Sequence, residues 1–403
     1  VRWQAAVRPY ENSLWVREGV VLSTINASGP SPNHDKVVAE AGGGVTAFSA
    51  KDGKLLWKLD DAGQVSPVLM NGTLFLPDAY DLHTGVPIKK RDPFTDQESP
   101  WGINLGIGCS KFAGCPSFIT ARAGSLGFFD LARGGGQYWY PNNRASCWIN
   151  MIPACGLVLV PEGSSSCPCA YDYKTSLALA PATRNNDWCI YPKQSQSNEG
   201  GASPRKGKGK GAQAKAQSAA PIHRLFLNCG APGDRVDSAG NFWLAFPRPQ
   251  PVGPAGAGGM GRITLYDPGI RMGDSGSVIR PFIRNPDFTT ISGADKPWLY
   301  TCGLQGPLKL EIPLAPAGSP SRTFRVTLMF CEPEPPPARR AFDVFLQGKP
   351  VLTGFEILAE AKGPGVPVNK EFTVTASDQL TIELAGPATP GPLVNAVSIV
   401  VQP

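Results

Sequence analysis

A chain of 403 residues has room for two or three domains with real cores. Its 46 glycines and 41 prolines exceed a fifth of the chain, and 17% charged residues stand against 42% hydrophobic ones. That balance excludes a disordered tail and argues against helix bundles and coiled coils, in favour of short strands joined by tight turns. The formal charge of +6 is local: residues 193–220 hold Lys193, Arg205, Lys206, Lys208, Lys210 and Lys215 against Glu199 alone. The longest apolar run, residues 151–160, is half the ~20 residues that a membrane helix needs and contains Pro153, so a membrane span is excluded. The sequence begins at Val1 without a leader-like stretch and reads as a mature or processed piece.

In chain order, the first half repeats itself loosely. Residues 45–54 carry Asp52-Gly53 in their turn and are followed by Trp57; residues 79–85 run Ala-Tyr-Asp-Leu-His-Thr-Gly; 127–134 and 170–176 follow the same scheme. The aromatic anchors Phe48, Tyr80, Phe129 and Tyr171 are spaced by 32, 49 and 42 residues. Each unit is a short strand followed by a turn, and a glycine there supplies positive φ. Periods near 40–50 residues with such turns predict propeller blades. Asn26-Ala27-Ser28 and Asn71-Gly72-Thr73 match the glycosylation sequon and read as polar turns; His34 and Asp35 are a loop pair. Asp92, Asp96 and Glu98 make an acidic loop whose irregular spacing reads as solvated surface rather than a Ca²⁺ site.

Ten cysteines, with only Cys167-Pro168-Cys169 closely spaced and three scattered histidines, do not make a zinc pattern. They predict disulfides in an oxidising compartment, with Cys109, Cys115, Cys147, Cys155, Cys167 and Cys169 as the candidates in the first half. Residues 193–221 lack aromatic and branched apolar side chains, and read as a basic, solvated linker. Without interleaved aromatics to stack on bases, nucleic acid is not the expected partner.

Residues 47–57, AFSAKDGKLLW, resemble repeats of the PQQ-binding-like (quinoprotein dehydrogenase-like) β-propeller family, and residues 40–181 look like secreted planctomycete-type members of it. The segment 167–181, CPCAYDYKTSLALAP, is the most specific part. The resemblance implies cysteines at Cys109, Cys147, Cys167 and Cys169; Cys115 and Cys155 depart from the pattern and are expected to form a further local bridge. Four repeats are fewer than most closed rings of roughly 4–8 blades, so the remaining blades are expected from a precursor or another chain.

Residues 222–403 open with LFLNCG at 225–230 and alternate thereafter, as at Phe324, Val326, Leu328, Phe330 and at Phe372, Val374. About eight such runs, with turns at Gly348-Lys349 and Asp378-Gln379, predict a β-sandwich. The 342–352 hairpin FDVFLQGKPVL, the 371–374 and 380–384 strands and the closing 395–400 NAVSIV resemble malectin-like domains, which implies a jelly-roll-like sandwich able to bind carbohydrate. Trp243, Trp298 and Tyr300 read as exposed aromatics near turns, with Asp237 and Asn395 beside them: flat rings to stack on a sugar and polar groups to read its hydroxyls.

The family resemblance of the first half raises catalysis by PQQ with Ca²⁺, which would use a tryptophan among Trp57, Trp101, Trp139 and Trp148 and a carboxylate such as Asp130 or Asp172. Those carboxylates fall at repeat turns, where a structural cap explains them, and no adjacent Cys-Cys pair is present. The protease-like Gly273-Asp274-Ser275-Gly276-Ser277 lacks a histidine in the required context and reads as a turn. The expectation is an all-β extracytoplasmic protein without a cofactor: a partial β-propeller of about four repeats at 1–192, a linker at 193–221 and a malectin-like β-sandwich at 222–403. It would bind polysaccharide or build a cell-surface or matrix assembly, with PQQ-dependent alcohol or sugar oxidation as the alternative.

Overall fold

The computed structural model describes residues 3–5, 13–24, 44–60, 67–76, 78–103, 112–123, 125–132, 137–140, 151–162, 175–181, 188–189, 220–248, 266–273, 279–285, 288–332 and 339–403. The chain is all-β, with one short helix, Ile357–Ala361, and one 3₁₀ turn, Pro297–Tyr300, among these residues.

Four antiparallel meanders follow one another in the first half, with a two-stranded hairpin of Lys89–Arg91 and Glu98–Pro100 between the second and the third. The first joins Ser13–Arg17, Val20–Thr24, Val45–Ser49 and Leu55–Leu59. The second joins Val68–Met70, Thr73–Phe75 and Ala79–Asp81 across the Asn71-Gly72 turn, where both residues take positive φ. A third sheet is made of Ala113–Cys115, Phe118–Ala123, Ser125–Asp130 and Gln137–Tyr140, and the fourth of Ile152–Ala154, Leu157–Val160 and Leu177–Leu179.

Because side chains alternate across a strand, each inner sheet offers one face to each neighbour. Leu22, Ala47 and Trp57 of the first sheet pack against Leu74, Leu76 and Leu82. Val68, Met70 and Phe75 meet Ile119 and Phe129 of the third. The opposite face of the third, with Leu126, Phe118 and Phe128, meets Met151, Val158, Val160, Leu177 and Leu179. Among the described residues this stack does not close into a ring.

The expected disulfide between Cys115 and Cys155 is not made. Cys115 ends a strand of the third sheet, Cys155 sits at positive φ in a turn of the fourth, and both are free thiols. Cys109, Cys147, Cys167 and Cys169 lie outside the described residues, as do Tyr171, Asp172, His34, Trp148, nearly all of the linker and most of the Gly273–277 motif.

In the second half a six-stranded sheet runs in the order Arg235–Val236, Phe242–Phe246, Arg224–Cys229, Ala396–Val401, Arg322–Phe330, Val368–Ala376. It faces a five-stranded sheet of Arg271–Met272, Leu308–Pro313, Gln379–Ala385, Ala341–Leu346 and Lys349–Glu356. Between them lies one core: Leu225, Leu227, Phe324, Val326, Leu328 and Phe330 from the first sheet, Leu310, Ile312, Val344, Leu380 and Ile382 from the second, all fully buried. Each such side chain contributes about 1.5–3 kcal/mol of burial free energy, so this cluster dominates the stability of the half. The hairpin turn falls on Gln347-Gly348, both at positive φ, one residue before the position expected, and the next strand starts at Gln379 just after Asp378. A smaller sheet of Arg280–Ile283, Cys302–Gln305 and Leu393–Val394 abuts the end of the sandwich. It comes so close that a Cβ on Gly230 would lie 2.3 Å from the Gly303 carbonyl oxygen, which excludes any side chain there.

The two halves interlock. The acidic loop expected to be solvated instead carries Phe94 into the sandwich core, where it is fully buried and stacked on Tyr266 with ring centroids 4.5 Å apart. Asp92 caps its own turn by accepting from the Phe94 and Thr95 amides at 2.9 and 2.8 Å. Asp96 takes both oxygens to Arg224, at 2.8 and 2.7 Å. Further along, Cys189 and Asp234 exchange two backbone hydrogen bonds of 2.7 Å, which seats Trp188 on the sandwich.

Candidate carbohydrate-binding site

The outward face of the six-stranded sheet carries an aromatic row. Strand register puts Arg235 beside Trp243, and Trp243 beside Phe226. In the strand Phe242–Phe246 the residues Phe242, Leu244 and Phe246 turn to the core, so Trp243 and Ala245 turn outward. The 3₁₀ turn Pro297–Tyr300 folds over this row and lays Trp298, Leu299 and Tyr300 on it. Trp243 meets Trp298 edge-on with centroids 6.1 Å apart, and Trp298 meets Trp188 edge-on at 6.4 Å. The Arg235 guanidinium lies 4.8 Å from the Trp298 ring centroid and 5.5 Å from that of Trp188, a cation–π arrangement.

Asp237 holds the loop that leads into this row. Its Oδ1 accepts from the amides of Ala239 and Asn241 at 3.0 and 2.9 Å, and its Oδ2 accepts from Trp243 Nε1 at 3.1 Å. Lys296 Nζ stands 3.5 Å from the same Oδ2. Burial alone would push this carboxyl up, but the hydrogen bonds from Trp243 and Asn241 and the Lys296 charge outweigh it and hold it below its ordinary value. Its stabilising contribution is therefore complete above the unfolded-chain value of about 3.9 and is lost as pH falls through the lower folded value. We expect Asp237→Asn to cost about 1–3 kcal/mol at neutral pH, by unbalancing a buried donor set. Urea denaturation should show the gap to the wild type narrowing towards about pH 3. A gap that stays constant with pH would show that the charge is not what anchors the loop.

Tyr300 donates its hydroxyl hydrogen to Asn369 Oδ1 at 2.9 Å, and its phenol is pushed up, first by burial. Asn395 is fully buried: Oδ1 accepts from the Cys331 amide at 2.7 Å, and Nδ2 donates to the carbonyls of Cys302 and Tyr300 at 2.8 and 3.3 Å. The neighbouring thiols of Cys302 and Cys331 are each pushed up to about 12 by burial, which keeps them protonated and unreactive.

All five residues singled out in the sequence thus fall in one neighbourhood, but not in the roles expected. Trp243 and Tyr300 are not exposed aromatics: they are 3% and 4% accessible, because the 3₁₀ turn covers the sheet face. Asp237 and Asn395 are buried too, and spend their polar atoms on the loop and on two neighbouring segments, at Cys331 and at Tyr300–Cys302. Trp298 alone of the five is half-open, with the half-buried Trp188 and Arg235 against its ring; the half-buried Asn241 and Lys296 meet Asp237, and the exposed Asn369 accepts from Tyr300. Sequence reasoning missed these flanking residues. The Asp237-Ser-Ala-Gly-Asn241 spacing signals a side-chain-capped turn; nothing in the sequence announces Trp188, which arrives from across the linker.

Of the tryptophans expected to serve a quinone, Trp57 and Trp101 can be placed by their contacts, whereas Trp148 and the side chain of Trp139 lie outside the described residues. Trp57 donates its indole hydrogen to the Leu82 carbonyl at 2.9 Å and lies flat on Gly85, where a Cβ would come within 2.7 Å of the ring. Trp101 is edge-packed by Phe75, tilted against Phe129 and covered by Lys90 at 3.7 Å. Neither ring offers an open platform, and no cluster of metal-ligating side chains occurs among the described residues.

The class defined by this architecture is a β-sandwich with an aromatic cluster on its outer sheet face. Residues 290–397 match the malectin domain, a carbohydrate-binding fold, and the match contains Trp298, Tyr300, Asn369 and Asn395. No curated protein matches the chain. Among solved structures, a chain in the crystal structure of the plant peptide RALF23 in complex with FER and LLG2 is 18% identical with a TM-score of 0.32, covering 45% of this chain and 50% of that one. The ANXUR2 extracellular domain from Arabidopsis thaliana is 14% identical at 0.33, covering 44% and 49%. Bacteroides uniformis β-glucuronidase is 13% identical at 0.31, covering 45% and 18%. This chain thus spans about half the length of the plant ectodomains it matches. No helix among the described residues is long and apolar enough to cross a membrane.

Proposed function

We propose that this protein is a non-catalytic, extracytoplasmic carbohydrate-binding protein of a cell surface or matrix, with polysaccharide or glycan as its ligand and further propeller blades as its structural partner. The observation that carries the reading is the coincidence of the malectin match with the half-open Trp298. Trp298 is the stacking surface for a sugar ring, with Trp188 beside it. Asn241, Lys296 and Asn369 stand where side chains can meet hydroxyls, while Asp237, Trp243, Tyr300 and Asn395 hold the platform in shape.

A glycan array probed with the intact chain tests this. Saturable binding to one sugar class is expected, with Trp298→Ala weakening it by about tenfold, the worth of one aromatic stacking contact. Binding to no glycan, or binding indifferent to Trp298, would overturn the reading.

A further inference from the structure

One row of side chains crosses all six strands on the outward face of the six-stranded sheet. Directly paired strand positions point to the same side of a sheet, and the register runs Arg235, Trp243, Phe226, Ser398, Thr327, Glu371. Their chain neighbours Leu225, Leu227, Val326 and Leu328 turn to the core, which fixes the row as outward. Strands lie ~4.8 Å apart, so the row covers roughly 19 Å from Trp243 to Glu371.

This row is the floor of a trough. Along one side runs the 3₁₀ turn Pro297–Tyr300, from Trp298 against Trp243 to the Tyr300 hydroxyl on Asn369, packed over Ala396 and Met329. Along the other side the next outward row is Arg224, Val400, Arg325 and Thr373. Phe226, Ser398, Thr327 and Val400 are half-buried, while Arg325, Glu371 and Thr373 at the far end are exposed. Short side chains thus make the floor and long ones the rim. The hydroxyls of Ser398 and Thr327 have no hydrogen-bond partner among the described residues. Each is a donor and an acceptor, recessed and left to what comes from outside.

The chemistry of the floor selects its occupant. A protein partner would anchor on apolar and aromatic side chains at the centre of its contact, and here the centre is Ser398 and Thr327. Arg325 and Glu371 stand 3.9 Å apart and offset each other, and Arg224 is held by Asp96, so the far end favours no charged chain. An aromatic end followed by recessed hydroxyls matches one stacked sugar ring followed by further rings bearing hydroxyls. A straight floor suits an extended chain, and strand spacing is close to the advance of one hexose along such a chain.

We infer that the ligand is an internal stretch of a neutral, extended, β-linked polysaccharide lying along this row. Trp298 stacks on one ring at the near end, Ser398 and Thr327 read hydroxyls in the middle, and Arg325 meets the chain at the far end. The inference rests on the carbohydrate reading above and adds the length, direction and charge of the ligand: several units of a linear chain, not one terminal sugar.

Isothermal titration of the intact chain with cello-, manno- and chito-oligosaccharides, from monosaccharide to hexasaccharide, tests it. In one series the affinity is expected to rise about tenfold from disaccharide to tetrasaccharide and then level off. Thr327→Lys puts a long side chain on the floor, opposite Glu371 in a favourable cross-strand pair. It should bring the ratio of tetrasaccharide to disaccharide affinity down to about one. Trp298→Ala should weaken every length and leave that ratio near its wild-type value. Should Thr327→Lys unfold at a lower temperature than the wild type, Arg325→Ala, at an exposed position, carries the same test, with the ratio again falling. Affinity independent of chain length, or a length gain that survives both substitutions, overturns the inference and leaves the carbohydrate reading standing. So does binding confined, on the glycan array, to anionic, α-linked or terminal branched sugars. Binding to no glycan at all removes the carbohydrate reading itself, and this inference with it.

Discussion

Phe94→Ala is expected to destabilise the protein by about 3–5 kcal/mol, the range for emptying a packed phenylalanine site in a core. The side chain belongs by sequence to the first half and by packing to the second: it is fully buried in the sandwich cluster and stacked on Tyr266, while its carbonyl accepts from the amides of His223 and Arg224 at 2.7 and 3.1 Å. The neighbouring ion pair is a weaker link, since the side chains of Asp96 and Arg224 keep 23% and 40% of their exposure and water screens them. Asp96→Ala should therefore cost less than about 1 kcal/mol. In denaturant, the wild type is expected to lose both halves in one transition, and Phe94→Ala to separate them, with the sandwich melting at the lower midpoint. Equal small effects of the two substitutions would mean that the halves are not joined through this ring.

Much of the fold is written in local patterns. The alternation at Phe324, Val326, Leu328 and Phe330 can satisfy only one buried face, and the structure puts all four in the core. The repeat at Ala50-Gly53 and Leu82-Gly85 is legible because a tryptophan needs a bare glycine to lie on. What local pattern does not carry is which face of a turn meets which sheet. Asp92-Pro-Phe-Thr-Asp96 reads as a polar loop because four of its five residues suit one; the burial of Phe94 is decided by a partner more than a hundred residues away. The exposure expected of Trp243 and Tyr300 fails for the same reason. Trp243 and Tyr300 lie near turns, and only the fold of the 3₁₀ segment over the sheet decides that Trp298 stays half-open while they do not.

The same segment explains why Asn395 should be the most sensitive polar residue in the protein. Its side chain ties two segments to its own strand, one through the Cys331 amide and the other through the Tyr300 and Cys302 carbonyls, and its own backbone bonds Met329 and Cys229. Asn395→Ala would leave one buried donor and two buried carbonyls without their partner, at about 1–3 kcal/mol for each group left unsatisfied. Asn395→Asp separates that term from cavity formation, because the volume is kept. The new carboxylate would face two carbonyl oxygens in a site with no access to water, so burial and repulsion raise its folded value above the unfolded 3.9 or so. A group whose carboxyl is raised on folding costs stability as pH climbs. The variant should stay close to the wild type at about pH 4 and lose roughly 1.4 kcal/mol for each pH unit above that, until the raised value is passed. This is the opposite sign to Asp237, whose contribution disappears on acidification. Chemical denaturation across pH, together with glycan binding by Trp298 in the same variants, distinguishes a knot that holds the platform from a group that touches sugar. Binding restored at acid pH along with stability makes Asn395 a positioning residue, and binding lost while the fold is intact would instead place it in contact with the ligand.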